Sequence, residues 1–273
     1  MLELRSAAPS TILRQFVRAY AERTIRGSED VQSLCMPRVE TILKFELGTS
    51  LKILTPTGAW LASPDTVIVG AFGASSVREI LRPGLTSFVI FFRPSGFAQL
   101  FGVPMAVTTN AAHEGESVVG HEIRFLRERL GEASSFAERV CHVEQWLAHR
   151  LSATAEGASI TDAADRILEA KGAVRIEGVA QAYGYTVRHF ERQFARLTGF
   201  SPKHYARVAR FQCAIDLKLL NPKRSWMSIA HELEYHDQMH LVHDFQKIAG
   251  DAPSHVIASL GDSRPQVPET RRN

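Results

Sequence analysis

The chain has 273 residues, of which 45% are hydrophobic, and its formal net charge is +3. This length suits two domains of ordinary size, and the composition is that of a folded globular protein. The three cysteines, Cys35, Cys141 and Cys213, lie far apart without CxxC spacing, which argues against a disulfide framework and a cysteine zinc site and suits a reducing compartment.

The most apolar run, residues 88–92, is far too short to cross a bilayer. The amino terminus also lacks the basic start and long apolar run of a signal peptide. We therefore expect a cytoplasmic protein with no membrane association. His113 lies beside Glu114, but no second His-x-His pair accompanies it in the strand-like region, so we expect no metal site, and nothing in the sequence calls for a cofactor.

The first predicted element is a short helix over residues 10–24, which places Ile12, Phe16 and Tyr20 on one face. Residues 31–94 then read as short strands separated by Gly and Pro, at 41–47, 51–54, 66–72, 77–81 and 86–92. Short strands separated by Gly and Pro predict a small antiparallel β-barrel or sandwich, and we favour the barrel. Its apolar side chains line either a ligand cavity or an ordinary core; the candidates are Phe45, Phe88, Ile90 and Phe92.

After Pro94 the pattern becomes helical. Ser95 can cap a short helix through Phe101, and longer helices are expected over residues 118–130 and 135–151. The second of these has an apolar stripe that forms either a dimer seam or intramolecular core; we favour the seam, with Phe136, Val140, Val143 and Leu147. Residues 1–152 would thus be one domain, 153–160 a small polar linker, 161–258 a second domain, and 259–273 a disordered tail.

The last hundred residues repeat one pattern at a spacing of about 50 residues. The pairs are Ala180-x3-Gly184-Tyr185 with Ala230-x3-Glu234-Tyr235, His189-Phe190-x3-Phe194 with His240-Leu241-x3-Phe245, and Gly199-x-x-Pro202 with Gly250-x-x-Pro253. A chain that keeps a small residue, a turn, apolar anchors, Gly and Pro in this order twice is repeating a helix-turn-helix unit. Residues 175–247 also hold 11 Lys and Arg against 7 Asp and Glu, which is the charge bias of a polyanion-binding region.

In the first unit, Gly184 suits a sharp turn, Thr186 can cap the second helix, and Phe190 and Phe194 anchor that helix. In the second unit Asp237 is the candidate cap, with Leu241 and Phe245 as anchors. The outward positions suit base reading in the major groove, because Arg can pair with guanine, Gln with adenine and Met with the thymine methyl group. The candidate DNA-binding residues are Thr186, Arg188, Glu191, Arg192, Arg196, Asp237, Gln238, Met239, His240, His243 and Lys247; for His240, packing is an equal alternative.

Between the two units, residues 203–220 are predicted to form one helix with Tyr205, Val208 and Phe211 on its buried face. Eighteen helical residues span roughly 27 Å. That length could hold two reading helices close to one DNA turn apart, about 34 Å.

Residues 160–256 resemble the DNA-binding domain of the AraC/XylS family of transcriptional regulators. The resemblance rests on Gly199-Phe200-Ser201-Pro202-x-x-Tyr205 and on Asp237-Gln238-x-His240-Leu241-x3-Phe245 followed by Gly250-x-x-Pro253. It implies recognition helices over residues 186–196 and 237–246. Two positions depart from the family pattern, Glu234 where Gly is usual and His243 where Arg is frequent, so the second reading helix is less basic. Arg82-Pro83-Gly84 and residues 94–104 resemble the cupin-like sensor half of some members, whose helices can dimerise.

The resemblance implies an α+β protein that regulates transcription by binding double-stranded DNA, and not an enzyme. A homodimer is expected; RNA polymerase and a small-molecule effector are further candidate partners. Two alternatives remain. A DNA-targeted alkyl-transfer enzyme would need an activated cysteine, and a DNA-architectural protein would need a larger basic excess.

Overall fold

The computed structural model describes residues 2–55, 58–74, 77–151 and 158–260. Strands and short helices make up residues 2–151, the amino-terminal half. The strands are β1 (Leu2–Ala7), β2 (Val17–Ile25), β3 (Val31–Cys35), β4 (Ile42–Gly48), β5 (Lys52–Leu54), β6 (Trp60–Ala62), β7 (Thr66–Val69), β8 (Val77–Leu81), β9 (Leu85–Phe92) and β10 (Ala112–Glu114). The helices of this half are α1 (Gly96–Phe101), α2 (Met105–Thr108), α3 (Gly115–Val119), α4 (Glu122–Glu132) and α5 (Phe136–Ala148).

Within the described residues these strands form two antiparallel sheets. One has the order β1-β2-β9-β4-β7-β10 and the other β3-β8-β5-β6. The α+β class is confirmed, but the closed barrel is wrong, because both sheets are open and end in edge strands. The chain leaves the smaller sheet for the larger one at the turn between β8 and β9, where Gly84 has φ +81°. The consecutive strands β8 and β9 therefore belong to different sheets.

One face of the larger sheet packs against α4 and α5. Its inward side chains include all four candidates for lining a ligand cavity, Phe45, Phe88, Ile90 and Phe92, and each is fully buried. The ring of Phe88 lies 6.3 Å from that of Tyr20 and 5.9 Å from that of Phe136. These four residues are therefore part of the main hydrophobic core of the amino-terminal half.

The stripe on α5 faces the same core. Val143 and Leu147 are fully buried, and Phe136 and Val140 pack against the same cluster as partly buried side chains. Within one molecule the apolar stripe packs against the sheet, which is the intramolecular alternative named for these four positions.

The opposite face of the larger sheet carries a charged band that the smaller sheet covers. Arg23, Ser87 and Glu46 lie side by side on β2, β9 and β4. Glu79, on β8 of the smaller sheet, accepts a hydrogen bond of 3.1 Å from Arg23. On β4 of the larger sheet, Nζ of Lys44 lies 2.8 Å from a carboxylate oxygen of Glu46. All four charged groups are buried, so each depends on its partner in place of water. Burial would raise the pKa of Glu79, but Arg23 and Lys44 hold it below its ordinary value.

Two local predictions in this half fail. Residues 17–25 form strand β2 and not a helix, since they pair with β1 and β9, and Val17, Tyr20 and Ile25 pack in the core. Ser95 does stand at the start of α1, but with φ +63° and without a capping hydrogen bond from its side chain. Its hydroxyl instead hydrogen-bonds Thr161 in the other half of the chain.

The second half is helical throughout its described residues, 158–260. The helices are α6 (Ala158–Glu169), α7 (Ile176–Ala182), α8 (Val187–Thr198), α9 (Pro202–Leu220), α10 (Trp226–Glu232), α11 (Gln238–Ala249) and α12 (Pro253–Leu260). The last residues of the predicted linker, 158–160, belong to α6. Residues 153–157 of the linker and residues 261–273 of the predicted tail lie outside the described residues. Among the described helices, none combines the length and hydropathy that crossing a bilayer requires.

The two halves share one hydrophobic cluster, in which Met36, Val39 and Ala71 pack with the carboxy-terminal helices. A polar junction lies beside it. Gln212 on α9 donates to the carboxylate of Glu40 at 2.9 Å and accepts from the backbone N–H of Val39 at 3.1 Å. Arg18 pairs with the same carboxylate. The helices are thus fixed against the amino-terminal half by buried contacts of both kinds.

Candidate nucleic-acid interface

The first helix-turn-helix unit consists of α7 and α8. Val179 and Ala180 are buried on α7, and the chain turns at Gly184, which has φ +73°. This left-handed conformation is open to glycine at little cost. The hydroxyl of Thr186 then accepts the backbone N–H of His189 at 3.3 Å, so Thr186 caps α8 as the sequence predicts.

Helix α8 has one aromatic face and one polar face. Phe190 and Phe194 are fully buried with ring centroids 5.3 Å apart, and Tyr205 of α9 meets Phe194 edge-on at 5.2 Å. The opposite face presents exposed polar side chains at four predicted positions, Arg188, Glu191, Arg192 and Arg196. The apolar anchors therefore fix the rotation of the helix and turn its charged side chains towards solvent.

The second unit, α10 and α11, repeats this construction with a different turn. Glu234 takes the place of Gly184 and has φ +55°, a conformation that costs a residue with a side chain. The carboxylate of Asp237 accepts the backbone N–H of His240 at 2.7 Å and caps α11. Leu241 and Phe245 are fully buried.

The outer face of α11 is exposed at every remaining predicted position: Gln238, Met239, His240, His243 and Lys247. The ring of His240 meets Tyr235 edge-on at 5.2 Å, so this histidine is exposed and also packs on its neighbour. Lys247 provides the cationic side chain near the end of the helix. The surface is polar and less basic than the face of α8.

Helix α9 joins the units and carries the contacts that fix them. It has 19 residues, and Ser201 caps it by accepting the backbone N–H of His204. Tyr205, Val208, Phe211 and Ile215 form its buried face. The ring of Phe211 meets Phe245 of α11 at 4.7 Å, so the connector packs directly on the second recognition helix.

Three contacts in this region were not predicted from the sequence. Arg207 on α9 donates to the buried carboxylate of Asp244 on α11 at 2.8 and 3.2 Å. The ring of His189 stacks on Tyr185 at 5.3 Å, and Arg192 donates to its Nδ1 atom at 3.2 Å. The sequence pattern does not reveal any of these three contacts, although residues three apart on a helix, such as His189 and Arg192, are close enough to touch.

The described residues bring together no three His, Cys, Asp or Glu side chains that could hold a metal ion. His113 instead hydrogen-bonds the backbone carbonyl of Val107 at 2.9 Å. Burial raises the pKa of the Cys35 thiol, and it raises that of Cys213 to about 11. A thiol with a raised pKa is a poor nucleophile at neutral pH.

Comparison with known families matches a helix-turn-helix domain to residues 179–259, and the matching domain is of the AraC type. A search of curated proteins found no significant match to this sequence. Among solved structures, ToxT from Vibrio cholerae O395 is 7% identical with a TM-score of 0.48, covering 96% of this chain and 98% of that chain. ToxT from Vibrio cholerae strain SCE256, with an unsaturated fatty acid bound, is 9% identical with a TM-score of 0.47. The match covers 87% of this chain and 98% of that chain. The AraC-like transcriptional activator CuxR is 11% identical with a TM-score of 0.31. The match covers 81% of this chain and 86% of that chain.

Proposed function

We propose that this chain, which carries an AraC-type helix-turn-helix domain at residues 179–259, is a sequence-specific transcriptional regulator. In this proposal α8 and α11 read two successive major-groove segments of one DNA duplex. The observation that carries it is the duplicated unit: two capped helices, each anchored by buried apolar side chains and each exposing a polar outer face. A helix so mounted can enter the major groove without losing its packing.

The geometry of the connector supports reading by one molecule. The 19 residues of α9 span roughly 28 Å, close to the separation of about 34 Å between successive turns of one groove. Because Arg207 and Phe211 of α9 both contact α11, the spacing of the two units is fixed before DNA binds. Preorganisation of this kind reduces the entropic cost of binding.

We assign different tasks to the two reading helices. Arg188 and Arg192 can pair with guanine, and Glu191 can accept from the amino group of cytosine. Gln238 can read adenine, and Met239 can contact a thymine methyl group. Since α11 has fewer cations on its outer face, α8 contributes the larger share of the affinity and α11 mainly refines the choice of sequence.

Control of this activity belongs to the amino-terminal half. We propose that residues 1–152 form a sensor and dimerisation domain, that residues 161–258 form the DNA-binding domain, and that two copies bind paired half-sites. A small-molecule effector acts only if it binds two arrangements of the protein with different affinity. Because Gln212 of α9 hydrogen-bonds Glu40 of the amino-terminal half, an effector that moves Glu40 would also move α9. RNA polymerase is the partner that an activating regulator would contact.

The test uses full-length protein in gel shifts with excess competitor DNA, on a duplex selected from a random library. Arg188→Ala and Arg192→Ala should each weaken specific binding by about 1–3 kcal/mol. Arg124→Ala is the charge-matched control, since Arg124 is exposed on α4 in the other half of the chain. Failure of both α8 variants to weaken binding would refute the role of α8, and selection of no sequence at all would refute the proposal itself.

A further inference from the structure

An aromatic pair stands at the entrance to each recognition helix. In the first unit the rings of Tyr185 and His189 stack with centroids 5.3 Å apart and an angle of 15° between their planes. The stack joins the turn to the first turn of α8. The backbone N–H of His189 also bonds the cap residue Thr186, so His189 belongs to the capped first turn of α8.

The first unit extends this pair to an arginine of the reading face. The guanidinium of Arg192 donates to Nδ1 of His189 at 3.2 Å. A guanidinium can only donate, so in this contact Nδ1 is the acceptor, which is its role in the tautomer that carries the proton on Nε2. Arg192 is exposed, and an exposed arginine without such a bond would sample many rotamers.

The other side of the stack is attached to a different helix. The hydroxyl of Tyr185 hydrogen-bonds the hydroxyl of Ser159 on α6 at 2.8 Å, and its backbone N–H bonds the carbonyl of Ala180 on α7 at 3.0 Å. Helix α6 is packed in the core of the helical region through Ala163 and Ile167. The direction of Arg192 is therefore set by a chain of contacts that begins outside the helix it belongs to.

The second unit has the same pair in another arrangement. Tyr235 and His240 meet edge-on, at 5.2 Å and 88°. His243 occupies the position that corresponds to Arg192, 51 residues further on. A histidine has two side-chain torsions against the four of arginine, so it loses less entropy when it is ordered and has less need of a fixed acceptor.

We infer that His189 is a positioning residue for base recognition: by accepting from Arg192 it orients that guanidinium and sets the base preference of the first unit. The inference rests on the proposed reading function of α8. According to this inference, His189 touches no base and acts through Arg192 alone. Its removal should therefore change which base pair is preferred more than it changes stability.

The experiment first defines the base pair at which Arg192→Ala loses most preference, by selection from a random duplex library with the full-length protein. The ratio of dissociation constants for the best and second-best base at that pair is then measured in three variants. His189→Phe keeps a ring on Tyr185 but removes the acceptor. His189→Asn gives up the ring but carries its Oδ1 atom where Nδ1 stood. His231→Phe is the matched control, because His231 is exposed on α10 and is not one of the candidate DNA-binding residues.

Loss of one hydrogen bond predicts that His189→Phe lowers the ratio about twofold to tenfold, with an unchanged melting temperature. His189→Asn should keep most of the ratio, and His231→Phe should leave it as in the original protein. In the Arg192→Ala background, His189→Phe should cause no further loss.

An unchanged ratio in His189→Phe would overturn the inference, as would an equal loss in the Arg192→Ala background. Loss of the ratio in His189→Asn together with its retention in His189→Phe would show that the stacked ring matters and not the acceptor. These outcomes differ from failure of the proposed function, in which the original protein enriches no sequence.

Discussion

At the scale of single residues, the two turns of the duplicated unit differ by one side chain. Gly184 and Glu234 occupy equivalent positions, and both have positive φ, +73° and +55°. A Cβ added at Gly184 would meet no atom within 4 Å, so the requirement there is conformational and not steric. The second turn therefore stores strain that the first turn avoids.

Glu234→Gly should stabilise the protein by about 1 kcal/mol, because glycine adopts this conformation freely. The reciprocal variant Gly184→Ala should destabilise it by a similar amount. Urea unfolding of both variants measures the two changes. His231→Gly, within the neighbouring helix, is the control and should destabilise the protein. A loss of stability in Glu234→Gly comparable to that control would show that the turn does not strain Glu234.

At the scale of elements, the second recognition helix is held by a polar bond as well as by apolar packing. Asp244 is 4% exposed, although it lies on a helix whose outer face is polar. Arg207 on α9 donates twice to one oxygen of its carboxylate. The pair ties α11 to the connector at one rotation about its axis.

Asp244→Ala should lower the free energy of unfolding by about 1–3 kcal/mol, because it leaves Arg207 without its acceptor in a partly buried place. It should also reduce sequence preference, since α11 is then less firmly oriented. Urea unfolding and library selection measure the two effects. His243→Ala, on the exposed face of the same helix, should change stability by less than about 0.5 kcal/mol. A similar small effect of Asp244→Ala would mean that apolar packing alone orients α11.

Local chemistry explains which elements the sequence could predict. The caps Thr186 and Asp237, the anchors Phe190 and Phe245, and the long connector all depend on residues close in sequence, and each was predicted correctly. The sequence predicts a helix over residues 10–24 because the apolar spacing fits one, while the pairing of β2 with β9 that decides the structure of residues 17–25 involves residues about 70 positions away. Glu46 and Lys44 alternate with apolar residues as in a solvent-facing strand, and only the second sheet, which covers them, makes them buried.

At the scale of the whole molecule, the two halves are joined at a buried ionic junction. Glu40 is 2% exposed and accepts from both Arg18 and Gln212. Burial would raise the pKa of Glu40, but Arg18, Arg38 and the bond from Gln212 together hold it below its ordinary value of 4.5. The charged form is thus the one that the folded protein stabilises.

This lowered pKa predicts a dependence of stability on pH. The folded state binds the proton of Glu40 less tightly than the unfolded state does, so its contribution is complete above pH 4.5 and is lost as the pH falls through the lowered value. Glu40→Gln should destabilise the protein at neutral pH by about 1–3 kcal/mol and should flatten the loss of stability on acidification.

Urea unfolding from about pH 6 to about pH 3 measures this loss in the original protein and in the variant. Glu191→Gln is the matched control, because Glu191 is exposed on α8. A pH profile for Glu40→Gln that runs parallel to that of the original protein would contradict the prediction.

The last described helix, α12, packs against β3 of the amino-terminal half while its neighbours in sequence belong to the second helix-turn-helix unit. Val256 and Leu260 are buried in the cluster that also holds Met36 and Val39. A separate fragment of residues 158–260 would therefore expose apolar side chains that the amino-terminal half covers, and it would be prone to self-association. DNA-binding assays on such a fragment would report on an altered molecule, so the intact chain is the right reagent for mapping operators.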